Sequence, residues 1–258
     1  MSTPGVDTGL KMIYLTPVIF FFLSFIFSML GMGGGQIYIP ILFWLGMDFK
    51  MEAIPLGLLL NFCVQISAFT TYVRNRLVDF KIALPFALSM IVSAPLGALV
   101  NFKLSPKPII LLFSLFTFFA GLLAISGYKP RKKVSSRKAK LFLGFSIGSI
   151  LGFLVGLIGR GGGSFIVPTL LVMGLDAKVC VGTSTFIASF SSLIGFLSHL
   201  FHSRLNLIIT IVTVGLVILG SQLGSRFMVA RIKSKTLKRI FGLVLILISI
   251  LLVKSVFR

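Results

Sequence analysis

Gly31-Met32-Gly33-Gly34-Gly35, followed five residues later by Pro40, returns as Gly159-Arg160-Gly161-Gly162-Gly163 with Pro168 at the same distance. Four glycines in five positions ordinarily mark an exposed turn. Both copies instead lie inside long apolar runs, so the backbone is interrupted within something greasy. At membrane depth, irregular backbone is tolerated only where protein or a wet cavity satisfies its N–H and C=O groups. The two breaks are therefore the first candidates for a transport site.

The composition around them is that of an all-α polytopic membrane protein. Of 258 residues, 57% are hydrophobic and 12% charged, whereas a soluble domain carries about a quarter charged residues. Mean hydropathy is +1.08, and several windows of roughly 20 apolar residues are long enough to span a bilayer. The first run is Phe-rich and lacks a small-residue cleavage pattern, so it reads as a span rather than a signal peptide. The net charge of +20 comes from 25 Lys and Arg against 5 acids. In a soluble chain that excess would suggest nucleic acid. Here the cations sit in short loops, as positive-inside signals and contacts with anionic headgroups, so the expected partner is the bilayer of the cell membrane and not nucleic acid. Cys63 and Cys180 lie in apolar segments and read as packing residues. His199 and His202 stand near a segment end, and no metal-ligand spacing or cofactor motif is present.

Residues 1–10 are polar and read as a disordered start. A span from Lys11 to Leu30 leads into the first break, and the run Gln36 to Met47 after it is too short to cross comfortably. Long segments follow over Ala53–Val73, Phe80–Phe102 and Pro108–Gly127, with kinks expected at Pro85 and Pro95. The stretch 129–140 holds seven basic residues and no acid. It reads as a cytoplasmic linker between a first transmembrane repeat, 1–128, and a second, 141–258, within one integral membrane domain. The pattern then recurs as Leu141–Ile158, the second break, Ser164–Leu175, Ala177–Leu200, Leu205–Val229 and Leu237–Val253.

A shift of 128 positions aligns the halves. Across residues 31–50, nine of twenty positions are identical, including Gly46, Asp48 and Lys50 with Gly174, Asp176 and Lys178. Shared Gly, Pro, Asp and Lys positions are not the accident that shared leucines would be, so the chain is a tandem duplication. Charge arbitrates orientation. If each half crosses an odd number of times, the linker, Arg74–Lys81 and the six cations of Arg226–Arg239 all face the cytoplasm. An even number would leave Arg226–Arg239 outside. The expectation is inverted repeats, with eight long spans plus two short broken or re-entrant helices.

Interrupted segments at corresponding positions of two halves are the sequence pointer to a secondary transporter's binding site. Bare glycines let a ligand approach the main chain, and a short helix starting at Gln36 or Ser164 would aim its positive N-terminus at the break. Two such ends would make an anion site from Gly33, Gly34, Gly35 and Gln36 with Gly161, Gly162, Gly163 and Ser164. Arg160 adds a formal cation where the first copy has Met32. It either pairs with an oxyanion at depth or snorkels to headgroups. Asn61 and Gln65, four apart on one helix face, and Thr183, Ser184, Thr185 and Ser189 either bond an oxyanion or hold helices together. Asp48 and Asp176 follow the short runs as helix caps, or as gating or coupling carboxylates. No acid stands in the middle of a long span, so no proton relay is evident.

The pattern Gly-x-Gly-Gly-Gly, apolar run, Pro, Gly-x-Asp, then Val181-Gly182-Thr183-Ser184 resembles the sulfite exporter TauE/SafE family, also called the toluene-sulfonate uptake permease family. The resemblance covers nearly the whole chain. The first copy departs from it by reading Ile54-Pro55-Leu56-Gly57 where a Gly-Thr-Ser stretch would fall. What it implies is a permease of about eight spans for small sulfur-containing or organic anions such as sulfite, sulfonates, sulfoacetate or thiosulfate. The resulting expectation is a secondary transporter working by alternating access, with the decisive chemistry in the second copy through Arg160 and Thr183-Ser184. An anion channel or a non-transporting membrane subunit are the other readings, and a homo-oligomer stays open. An enzyme is not expected, because no paired carboxylates, metal cluster or nucleophile–base pair stands in the spans.

Overall fold

The computed structural model describes residues 4–101, 106–126, 136–158, 163–201 and 203–256. Among them every element is helical. The first half holds α1 (Pro4–Leu30), α2 (Gly35–Trp44), a five-residue π-helical turn (Phe49–Ala53), α3 (Ile54–Arg74), α4 (Phe80–Asn101) and α5 (Pro106–Ile125). The second half holds α6 (Arg137–Ile158), α7 (Gly163–Val172), α8 (Ala177–Leu200), α9 (Leu207–Arg231) and α10 (Ser234–Val256). The expected disordered start is not what is observed, since α1 already begins at Pro4. Proline is well suited to a first helical turn, where its missing N–H has no intrahelical partner to lose. The second glycine break, 159–162, and most of the basic linker lie outside the described residues.

Among the described residues, four segments are long and apolar enough to cross a membrane by length and composition: Phe49–Arg74, Phe80–Gly97, Ala177–Leu200 and Leu207–Arg231. The distribution of side chains agrees. Along α4, Leu84, Leu88, Val92, Leu96 and Leu99 point outward. Buried positions include Ser24, Ser28, Ser89, Ser93, Ser221 and Ser225. Water would disfavour that outer surface, whereas lipid matches it. Several buried serines satisfy themselves on their own helix: Ser24 Oγ donates to Phe21 O at 2.8 Å and Ser28 Oγ to Phe25 O at 2.9 Å. A small, internally satisfied hydroxyl lets backbones approach in a dry interface.

The halves interlock instead of folding side by side. α1 runs parallel to α9, with Gly220 against Phe21 and Ser24 and Gly224 against Phe25 and Ser28. Its counterpart α6 runs parallel to α4, with Gly144 against Ile82 and Pro85, Gly148 against Phe86 and Ser89, and Gly152 against Met90 and Ser93. Glycines one turn apart thus form both seams, facing backbone and serine hydroxyls across each. The equivalent helices α3 and α8 cross antiparallel: Gly195 meets Leu58, Asn61 bonds Ser192, and Gly182 lies against Tyr72. α5 and α10 also cross antiparallel, Gly121 meeting Leu245 and Ile125 meeting Gly242.

These directions give the molecule two distinct ends. At one, Lys140 forms a salt bridge with Asp79 between α6 and the start of α4. There too Lys178 Nζ donates to Val229 O at 2.9 Å, and Ser234 Oγ to Asp176 at 3.0 Å. Arg74, Arg76, Arg231, Lys233, Lys235 and Arg239 gather at this end. At the other end, the Arg204 N–H donates to Met51 O at 2.9 Å, joining the π-helical turn to the α8–α9 connection.

Candidate functional site

The first break folds back inside the helical body. The Gly31 N–H still closes α1 onto Phe27 O at 3.0 Å, and Tyr38 N–H opens α2 on Gly34 O at 2.7 Å. Between them Gly31 and Gly33 take φ of +64° and +65°, the left-handed region that only glycine visits at little cost. α2 then descends beside α3 in the opposite direction, Gly35 lying near Asn61 and Ile39 near Gly57. α1 and α2 are therefore two arms of a hairpin whose tip is buried: Leu30, Met32, Gly33 and Gly34 are all inaccessible.

Polar groups surround this tip. A Cβ on Gly33 would collide with Asn61 Oδ1 and lie 2.8 Å from Gln65 Nε2. Asn61 Nδ2 donates to Ser192 Oγ at 2.6 Å, and Ser192 Oγ in turn donates to Ala188 O at 2.8 Å. Asn61 Oδ1 and both amide atoms of Gln65 are buried with no hydrogen-bond partner among the described residues. Tyr38 folds its ring back under Gly34, edge-on to Phe20 at 5.0 Å, and its hydroxyl is a further buried orphan. A buried amide left without a bond costs about 1–3 kcal/mol. Four buried polar atoms without a partner among the described residues, three amide and one phenol, belong to side chains that pack against two consecutive glycines.

The α3–α8 crossing brings the second half to this same break. Ser184 Oγ donates to Gly31 O at 2.7 Å and is equally close to its own Val181 O. Thr183 Oγ1 instead accepts the Asp79 N–H at 3.0 Å, fixing the start of α4. Sequence proximity groups Thr183-Ser184 with the second break, which lies outside the described residues; the observed contacts are with the first break and with α4. Because α8 runs antiparallel to α3, its first turns lie against the end of α1, so Ser184 braces the first break and Thr183 caps a neighbouring helix. Thr185 and Ser189 donate to Gly182 O and Phe186 O within their own helix.

Of the other sequence candidates, Gly35 and Gly163 are the first residues of α2 and α7, one position before the expected starts at Gln36 and Ser164. Arg160, Gly161 and Gly162 lie outside the described residues, as does His202. Asp48 and Asp176 are exposed and act as caps. Asp48 Oδ1 accepts the N–H groups of Lys50 and Met51 at 3.0 and 2.7 Å, and Asp176 accepts that of Lys178 at 3.0 Å. Cys63 and Cys180 are free thiols inside the core.

Sequence reasoning missed three contributors: Tyr38, Ser192 and Gln222. Gln222 of α9 donates to Ser67 O at 2.7 Å and accepts from Thr71 Oγ1 at 3.2 Å, stitching α9 to α3 one turn beyond Gln65. A lone polar residue in an apolar span was the only available signal.

The model of the sulfite exporter TauE/SafE family matches residues 17–252. The chain is 28% identical over 246 residues to the probable membrane transporter protein YunE of Bacillus subtilis, covering 86% of this chain and 90% of that one. It is 27% identical to the probable membrane transporter protein MJ0441 of Methanocaldococcus jannaschii, over 74% of this chain and 73% of the relative. A probable membrane transporter protein of Xylella fastidiosa is 26% identical over 88% and 89% of the two chains. No solved structure matches. With its apolar spans and its interlocked glycine seams, the chain belongs to the sulfite exporter TauE/SafE family and is a multi-pass membrane transporter.

Proposed function

We propose that the protein is a secondary transporter for small sulfur-containing or organic oxyanions, working by alternating access around its two glycine breaks. The observation that carries this reading is the orphaned amide pair, Asn61 and Gln65, pressed against the left-handed Gly33. The Gln65 Nε2 N–H group, the glycine backbone and the N-terminus of α2 all offer positive partial charge, which suits an oxyanion held without a dedicated cage of cations, while Asn61 Oδ1 can accept from a protonated oxygen or a water that accompanies it. Among the described residues no carboxylate lies in the interior to repel it.

The halves are inverted repeats in this account. An axis in the membrane plane sets equivalent helices antiparallel, as α3 with α8 and α5 with α10; an axis along the membrane normal would set them parallel. The hairpin reconciles this with helix counting. Each half has four long helices, yet α2 brings the chain back before α3, so the half ends on the side opposite to its start. The basic end is then cytoplasmic by charge. Cysteines introduced at Ser136 and at Lys233 should react with a membrane-impermeant maleimide only from the cytoplasmic side, and one at Ser203 only from outside. Cys63 and Cys180 are buried and give no background. Labelling of Ser136→Cys and Lys233→Cys from opposite sides would sink the inverted arrangement.

Arg160 supplies the formal charge. Its guanidinium can form two charge-assisted bonds to a sulfonate, sulfite or carboxylate. Arg160→Ala should remove oxyanion uptake into reconstituted vesicles while the protein still reaches the membrane. Unchanged uptake of sulfite, thiosulfate, sulfoacetate and small carboxylates would remove Arg160 from the site. Flux that never saturates and shows no counter-flow would favour a channel.

A further inference from the structure

Far from the glycine breaks, Lys235, Lys238 and Arg239 of α10 line a cleft of about 270 Å³ with Ala124, Ile125 and Ser126 at the end of α5. The cleft follows from the crossing beneath it. A Cβ on Gly121 would lie 2.9 Å from Gly242 O, and one on Gly242 would lie 2.6 Å from Gly121 O, so the two backbones touch there. That contact draws the cationic first turns of α10 around the last turn of α5. The α5 end satisfies itself, Ser126 donating through N–H to Leu122 O at 2.9 Å and through Oγ to Leu123 O at 3.0 Å.

One turn deeper the surface changes character. Leu122, Leu123 and Leu243 are exposed and apolar. Cations at the rim with leucines directly below match a phosphodiester headgroup with its acyl chains better than they match a free soluble anion. The feature is also one-sided. At the 128-residue shift, Lys238 and Arg239 correspond to Ile110 and Leu111, and only Lys235 has a cationic counterpart, Lys107. A topology signal requires positive charge on this face but not its convergence on a cleft between the last helices of both halves.

We propose that the α5–α10 cleft binds the phosphate of an anionic phospholipid, with its acyl chains along Leu122 and Leu243, and so ties the two halves together at the basic end. The site is independent of the transported anion. Thermal unfolding of the purified full chain in detergent tests it with added phosphatidylglycerol, phosphatidylcholine or inorganic phosphate. Phosphatidylglycerol should raise the melting temperature, and the other two should not. The K235Q/R239Q variant should bind phosphatidylglycerol roughly 30-fold more weakly, at about fivefold for each cation lost. R74Q/R76Q, which removes the same charge from the same face outside the cleft, should keep the full shift. The proposal is overturned by an equal response to phosphatidylcholine, or by a shift that survives K235Q/R239Q. An equal response to inorganic phosphate would make it a site for a soluble anion, and equal loss in R74Q/R76Q would reduce it to diffuse charge.

Discussion

Gly33→Ala is expected to abolish transport and to destabilise the protein by roughly 3 kcal/mol. About 1–2 kcal/mol of this comes from holding a non-glycine residue in the left-handed region, since φ at Gly33 is +65°. The remainder, about 1–3 kcal/mol, comes from overpacking, because the new methyl would collide with Asn61 Oδ1. Asn61 can yield only by giving up its 2.6 Å bond to Ser192, so the same methyl that strains the hairpin tip displaces the amide that faces it. Thermal unfolding and vesicle uptake measured on one preparation check both parts. Gly215→Ala is the control, since a Cβ there would meet nothing within 4 Å and the residue lies in α9 outside the break. It should cost far less.

Gln65→Met should separate stability from function with opposite signs. Both amide atoms of Gln65 are buried without a partner among the described residues, and the residue is fully inaccessible. Methionine has nearly the same shape and leaves no polar atom to desolvate, so the variant should be more stable by about 1 kcal/mol. A hydrogen bond from the amide to an anion is worth about 1.5–3 kcal/mol, so uptake should fall roughly tenfold to a hundredfold. Sites that bind ligands commonly carry such a conflict between stability and activity. A purely structural glutamine would give the reverse pattern, with lower stability and unaffected uptake per folded molecule.

Much of the architecture was legible because glycine, proline and aspartate repeat at one spacing. The first break, the short helices α2 and α7 and the eight long helices among the described residues all follow from that pattern. The interlocking did not. α1 packs on α9 and α6 on α4 because small residues on each seam match backbone on the other, and no local pattern names the partner of a seam. This is why Ser184 could not be placed beside Gly31 from sequence: the two are 153 residues apart and meet only through the α3–α8 crossing. Asn61 and Gln65 were legible as an i, i+4 polar pair on an apolar helix. Tyr38 was not, because a tyrosine in a greasy helix looks like an interfacial anchor, and only its position under Gly34 gives it a role. The caps at Asp48 and Asp176 were legible from position alone, each placed two residues before a lysine whose N–H it accepts.

The central claim is that the first break, with Asn61 and Gln65, binds the transported oxyanion. The most direct measurement is the ligand-induced change in melting temperature of the wild-type protein and of Gln65→Met across sulfite, sulfate, thiosulfate, taurine, sulfoacetate and small carboxylates. The account predicts that at least one of these anions stabilises the wild type and that the variant, although more stable without ligand, loses that response. Equal shifts in both proteins would contradict it and place the anion elsewhere.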